Sequence, residues 1–183
     1  MSVAKWNERY RAGEQVFRTP APLVVKFAGA RGVALDLACG PGRNALYLAE
    51  LGWRVTAVDG SPVALEILRA RAAERGFEIE AKVADLERGE FEIQPSAYDL
   101  ICDCYFLQRG LIPRMQAGVR PGGLIIVIVH LADSDQPRGT PTRAYPGELR
   151  GYFAGWTILH YYEGMPHEAC HQRPVAELVA RKL

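Results

Sequence analysis

From residue 33 to the C-terminus, short runs rich in β-branched and apolar residues alternate with segments of helical periodicity. That alternation is the pattern of a parallel sheet with helices on both faces, because each crossover between parallel strands needs a helix-length connection. "VALDLAC" opens the series as a buried strand, "RNALYLAEL" follows as a helix stopped at Gly52, and "WRVTAVDG" is the second strand. "SPVALEILRARAAERG" carries its own punctuation, with Ser61 as N-cap, Pro62 at the first helical position and Gly76 past the end. Ala64, Ile67, Leu68 and Ala72 give this helix one apolar face. "FEIEAKVADL" and "YDLICDCYF" read as strands three and four. A helical segment from about Leu107 to Val119, kinked near Pro113, leads to "RPGG", a turn feeding the strand "LIIVIVHL". "ADSDQPRGTPTR", in the 131–144 region, is a long loop and a candidate substrate lid, and "ELRGYFAG" is a short helix. "WTILHYYEG" and "VAELVARKL" follow with no helix between them, so they pair antiparallel.

At 183 residues the chain is expected to form a single α/β domain, with residues 1–25 as an N-terminal segment. Hydrophobic content of 49% with 23% charged residues is ordinary for a globular protein. A formal charge of +1, with no Lys/Arg run, gives no electrostatic argument for nucleic acid or an anionic membrane. "LIIVIVHLA" is too short to span a bilayer, and "MSVAKWNERYRAGE" lacks the apolar core of an export signal. Four cysteines, at 39, 102, 104 and 170, fit a reduced cytoplasmic protein, monomeric or homodimeric. Cys102 and Cys104 share one strand face and supply only two ligands, which argues against a metal there.

In an open parallel sheet, ligands bind beyond the carboxyl ends of the strands. After strand one, "LDLACGPGRN" offers Gly40 and Gly42 for a tight turn with close backbone approach, with Asp36 beside it. Asp59 ends strand two, 17 residues beyond Gly42, where a carboxylate can accept from both hydroxyls of a ribose. Asp85 ends strand three, placed to accept from an exocyclic amine while the Leu86 backbone serves a ring nitrogen. Strand four brings Asp103, Cys104 and Tyr105 to the same edge. Each feature alone has a plainer reading: a turn, a helix cap, an exposed carboxylate. Their succession at consecutive strand ends describes a nucleoside pocket.

"LDLACGPGRNALYLAELGWRVTAVDGSPVAL" resembles the first two motifs of class I S-adenosylmethionine-dependent methyltransferases, especially the tellurite-resistance and thiopurine group. "WNERYRAGEQVF" is similar to that group's N-terminal segment, and "RPGG" before an apolar strand to its later part. The resemblance implies a doubly wound Rossmann-like sheet of order 3-2-1-4-5-7-6, with strand 7 antiparallel. It implies S-adenosyl-L-methionine as cofactor, with Asp36, Gly40 and Gly42 around its methionine part. Asp59 would hold the ribose, Asp85 and Leu86 the adenine, and Asp103 would lie near the sulfonium. Ala38, Gly60, Ser61 and Cys104 flank these positions and complete the cofactor set. Trp6 and Tyr10 would form a flap over the cofactor or, more plainly, anchor a helix on the core. The likeness is loose around "ICDCYF" and "IVHLADSD", the acceptor side, where Tyr105 and His130 are the candidate catalytic residues. The expected reaction is in-line methyl transfer to a small molecule, by positioning and without an indispensable base. The alternatives are an NAD-dependent oxidoreductase, which a Gly turn and Asp59 also fit, and a non-catalytic S-adenosylmethionine-binding protein.

"MPHEACHQRP" contains HEACH, residues 167–171, a match to the H-E-x-x-H pattern of zinc peptidases. Pro166 and Pro174 leave no room for a helix of several turns, and only twelve residues follow His171, with no further His or Cys. HEACH therefore reads as the link between the last two strands. His167 or His171 can reach the acceptor site there as a substrate contact, with no zinc.

Overall fold

A computed structural model describes residues 2–29, 31–133, 135–136, 138–168 and 171–183. One sheet of seven strands has the order β3-β2-β1-β4-β5-β7-β6. Its strands are β1 Val33–Leu37, β2 Arg54–Asp59, β3 Ile79–Val83, β4 Tyr98–Cys104, β5 Val119–His130, β6 Thr157–Gly164 and β7 Val175–Arg181. Chain contacts group the residues into two compact units, Met1–Glu92 and Ile93–Leu183.

In the first unit, β1, β2 and β3 pair in parallel. The inner residues of β1 and β2 are buried and, apart from Asp36 and Thr56, apolar, as expected of parallel strands covered by helices. The helix α3, Arg43–Glu50, connects β1 to β2, and α4, Pro62–Arg75, connects β2 to β3. Ser61 caps α4 by accepting from the Ala64 N–H at 3.1 Å, Pro62 occupies the first turn, and Gly76 ends the helix at φ 69°. Of the predicted apolar face, Ala64, Leu68 and Ala72 are buried, with Leu65 beside them. Two further helices, α1 Val3–Arg11 and α2 Pro22–Phe27, precede the sheet. Asn7 on α1 accepts a 2.5 Å hydrogen bond from the Ser61 hydroxyl, so the cap that starts α4 also docks α1.

In the second unit, β4 and β5 are parallel, while β7 runs antiparallel to both β5 and β6. The terminal hairpin is thus as expected, with residues 165–174 as its connection. Two local expectations are corrected. The helix α5 begins only at Leu111 and runs to Gly118, so Pro113 falls in its first turn, where amides have no intrahelical partner and no kink is required. "RPGG" is not a free turn before the strand: it lies inside β5, where Gly122 at φ 78° accompanies a shift of register against β4. The short helix α6 spans Glu148–Gly151. Among the described residues no helix is long and apolar enough to cross a membrane.

Candidate functional site

The first unit gathers its functional side chains on the turn between β1 and α3. Ala38, Gly40 and Gly42 all have left-handed backbone, at φ 48°, 53° and 80°. A non-glycine residue held there is strained, a cost of order 1–3 kcal/mol that clusters at ligand sites. The turn is pinned by the Cys39 N–H donating to the Val58 carbonyl and the Gly42 N–H donating to the Cys39 carbonyl. Tyr10, stacked on Trp6 with ring centroids 5.5 Å apart, lies over it. A Cβ on Gly40 would sit 3.1 Å from the Tyr10 hydroxyl, so the turn passes directly beneath that group.

Asp36, Asp59 and Tyr10 line this turn, and burial acts on each in the same direction. Asp36 is 1% exposed, and among the described residues neither carboxyl oxygen completes a hydrogen bond. Its burial pushes the pKa up to about 7, against opposing effects of the Ala45 amide and the Arg43 charge. Burial likewise raises Asp59, although the Ser61 and Gly40 amides counter it, and burial raises Tyr10, helped by Asp59 and Cys39. The Asp59 carboxylate accepts from the Gly40 N–H and the Ser61 N–H, both at 2.8 Å. It therefore ties the two strand-end turns together, a structural role the sequence did not announce. A carboxylate offers about four lone-pair positions, so two remain for ligand hydroxyls.

Asp85 is more occupied than its position suggested. It accepts from the Glu87 and Arg88 amides, pairs with Arg88 at 3.4 Å, and its own N–H donates to Glu90. Leu86 is buried beneath this turn, and Gly60 sits against Val3 of α1 and the Asp85 backbone.

The second unit holds a separate cluster at the ends of β4 and β5. Asp103 is buried at 2% exposure, with Cys104 half-buried beside it. Tyr105 has left-handed backbone at φ 69°, held by its N–H donating to the Ile128 carbonyl at 2.6 Å. Its hydroxyl donates to Glu168 at 2.8 Å, and its ring stacks on His171 with centroids 3.6 Å apart and planes 10° apart. The His130 ring lies 5.3 Å from Tyr105 and 5.6 Å from His171. Burial and the charges of Arg143 and Arg173 hold the His130 pKa below its ordinary value, so its imidazole is neutral at neutral pH.

HEACH thus brings Glu168 and His171 to Tyr105, while His167 stacks on Tyr162 instead. The His171 N–H donates to the Glu168 carbonyl, and Ala169 and Cys170 lie outside the described residues. Among the described residues no group of three His, Cys, Asp or Glu side chains is arranged to hold a metal. The described part of the 131–144 region is strapped rather than loose: Arg109 forks onto Glu148 at 2.6 and 2.9 Å and donates to the carbonyls of Thr140 and Arg143. Backbone bonds between Ala132 and Ala144, and between Ala144 and His130, close its base.

The family described as Tellurite resistance protein TehB matches residues 23–173. The chain belongs to the TehB family. It is 30% identical over 141 residues to a protein of Haemophilus influenzae (strain 10810) named Probable S-adenosyl-L-methionine-dependent methyltransferase TehB, covering 72% of this chain and 48% of that one. It is 35% identical over 153 residues to Hemagglutinin 1 of Eikenella corrodens, covering 77% of this chain and 50% of that one. The crystal structure of TehB from Haemophilus influenzae superposes with a TM-score of 0.78 at 26% identity, covering 97% of this chain and 67% of that one. The chain spans about half the length of the curated relatives it matches.

Proposed function

We propose that this TehB-family chain is an S-adenosyl-L-methionine-dependent methyltransferase acting on a small-molecule acceptor. The observation that carries the reading is the turn at Ala38–Gly42, where neither oxygen of the buried Asp36 carboxyl completes a hydrogen bond among the described residues while Asp59 and Tyr10 converge on Gly40. Asp36 would take the amino-acid end of the cofactor, and Asp59 the ribose through its remaining lone pairs. Leu86 and the Asp85 turn would bound the adenine, with Trp6 and Tyr10 as the covering flap. Ala38, Gly60 and Ser61 would shape the backbone around them, and the second unit's candidates for the cofactor are Asp103 and Cys104.

Methyl transfer from a sulfonium is an in-line displacement with an activated donor, so alignment alone can supply about 7–11 kcal/mol of the barrier. The Tyr105 hydroxyl donates a hydrogen bond to Glu168, which supports reading it as a positioning group. His130, neutral at neutral pH, lies beside it as a second acceptor-side contact.

Thermal unfolding with S-adenosylhomocysteine and with NAD tests the cofactor assignment. A ligand at about 100 times its Kd adds about 2.7 kcal/mol, and the expected responder is S-adenosylhomocysteine. Stabilisation by NAD alone would overturn it. Thiol, selenite, tellurite, amine and hydroxyl acceptors then test the positioning mechanism through Tyr105→Phe and His130→Ala. Both variants are expected to keep turnover within about tenfold, whereas loss of about 100-fold or more at unchanged cofactor affinity would mark a general base.

A further inference from the structure

Asp36 is a carboxyl group whose needs the fold itself does not meet. It lies on β1 at 1% exposure, and neither oxygen completes a hydrogen bond among the described residues. Buried polar side chains almost always have partners, and an isolated buried anion costs far more than a neutral acid. Within residues 1–92, the Ala45 amide of α3 opposes the effect of burial, and the charged and titratable groups that face Asp36 add little to it. Arg43 of α3 is the nearby cation, but its guanidinium donates to the Thr19 carbonyl at 3.2 Å and sits 5.5 Å over the Phe17 ring. Cys39 on the turn presents a buried thiol, and Asp59 at the end of β2 is a like charge. Tyr10 of α1 covers the same turn at Gly40 and keeps its proton. One backbone amide and one diverted cation, set against burial and one carboxylate, leave the neutral acid favoured below about pH 7.

We infer that Asp36 rests as a carboxylic acid and releases its proton to solvent when the ammonium group of an amino-acid-bearing nucleoside enters beside it. Binding at this turn then exchanges one proton for one organic cation. The O–H bond of the carboxyl breaks, the proton passes to buffer, and the carboxylate pairs with the ammonium; no covalent bond to the ligand forms. The exchange rests on the methyl-donor reading above and deepens it. It replaces an unpartnered buried acid by a charge-assisted hydrogen bond, the stronger class of such bonds. It also couples affinity to pH: binding tightens by up to about tenfold per pH unit below the ionisation of Asp36 and levels off above it.

Isothermal titration calorimetry on the whole chain tests this with S-adenosylhomocysteine in two buffers of different protonation enthalpy. The expected release is about one proton per site near pH 6 and about half a proton near pH 7, following the ionisation of Asp36. The second probe, 5′-methylthioadenosine, keeps the nucleoside and thioether but lacks the amino acid, and its heat is expected to be independent of buffer. Asp36→Asn is expected to abolish the proton release by S-adenosylhomocysteine and to flatten its pH dependence. Equal heats for S-adenosylhomocysteine in both buffers overturn the exchange while leaving the cofactor assignment standing. The same release from 5′-methylthioadenosine also overturns it, because the proton then comes from elsewhere. If neither nucleoside binds, the methyl-donor reading fails and the exchange fails with it.

Discussion

Replacing Asp36 by asparagine is expected to make the protein more stable at pH 8 while weakening its response to S-adenosylhomocysteine. Burial raises the Asp36 pKa from 3.8 to about 7, so between those values the folded protein holds a proton that the unfolded chain has released. The stabilisation from that proton is fully present below about pH 4 and is lost as pH rises through 7. A shift of this size corresponds to about 4 kcal/mol, at 1.36 kcal/mol per unit. An asparagine side chain stays neutral throughout and does not carry this penalty, although its own buried amide costs about 1–2 kcal/mol if it finds no partner. The net gain expected above pH 8 is therefore about 2–3 kcal/mol, vanishing or reversing near pH 5. Urea unfolding of both proteins at pH 5 and pH 8 measures it. A difference that does not change between the two pH values would show that Asp36 does not hold its proton in the folded state. With S-adenosylhomocysteine added, the order at pH 8 is expected to move back toward the parent, since its carboxylate is then paired. Stability given up at a binding residue is the usual cost of a site preorganised for its ligand.

The sheet and the first half of the site were legible because they depend on local signals. Strand runs, Ser61 with Pro62 and Gly76, and the placement of Asp36 and Asp59 at strand ends all follow from a few neighbouring residues. What the sequence concealed depends on which distant groups meet. Asp59 reads as a ribose ligand, but its two amide partners, Gly40 and Ser61, are fixed by the folding of two turns on neighbouring strands. Asn7 contributes to the cap of α4 across 54 residues, and nothing near position 7 signals it. The same limit applies to HEACH. Its proline brackets correctly excluded a long helix, yet the bond from Tyr105 to Glu168 spans 63 residues and has no local signature. Pro113 misled because proline breaks a helix interior but is well tolerated in a first turn, and the boundary at Leu111 decides which applies. The strapping of the 131–144 region was hidden for a similar reason, since it relies on Arg109 and the buried Glu148 from outside that segment.

Gly42→Ala is expected to destabilise the protein by about 2–5 kcal/mol, far more than a methyl group on a surface turn would. Gly42 stands at φ 80°, a left-handed conformation that costs an L-residue about 1–2 kcal/mol. Space adds a second and separable cost. A Cβ at this position would lie 2.2 Å from Leu68 Cδ1 and 2.9 Å from its Cγ, and Leu68 is fully buried on α4. Relief requires moving a core side chain or the start of α3, and overpacking of this kind costs about 1–3 kcal/mol. Gly76→Ala supplies the control. Gly76 is left-handed at φ 69° but has nothing within 4 Å of an added Cβ, so only the backbone cost of about 1–2 kcal/mol should appear. Urea midpoints of the two variants at equal m-value separate strain from crowding. Equal losses at the two glycines would remove the steric claim. In a Leu68→Ala background the extra loss at Gly42 should fall toward the Gly76 value, because the clashing atoms are gone; full additivity would contradict the contact. The ligand consequence follows from geometry, since Gly42 immediately precedes α3 and its N–H donates to the Cys39 carbonyl beside Gly40. Displacing that hydrogen bond moves the turn on which Asp59 and Tyr10 converge, so Gly42→Ala should weaken S-adenosylhomocysteine binding while Gly76→Ala should not.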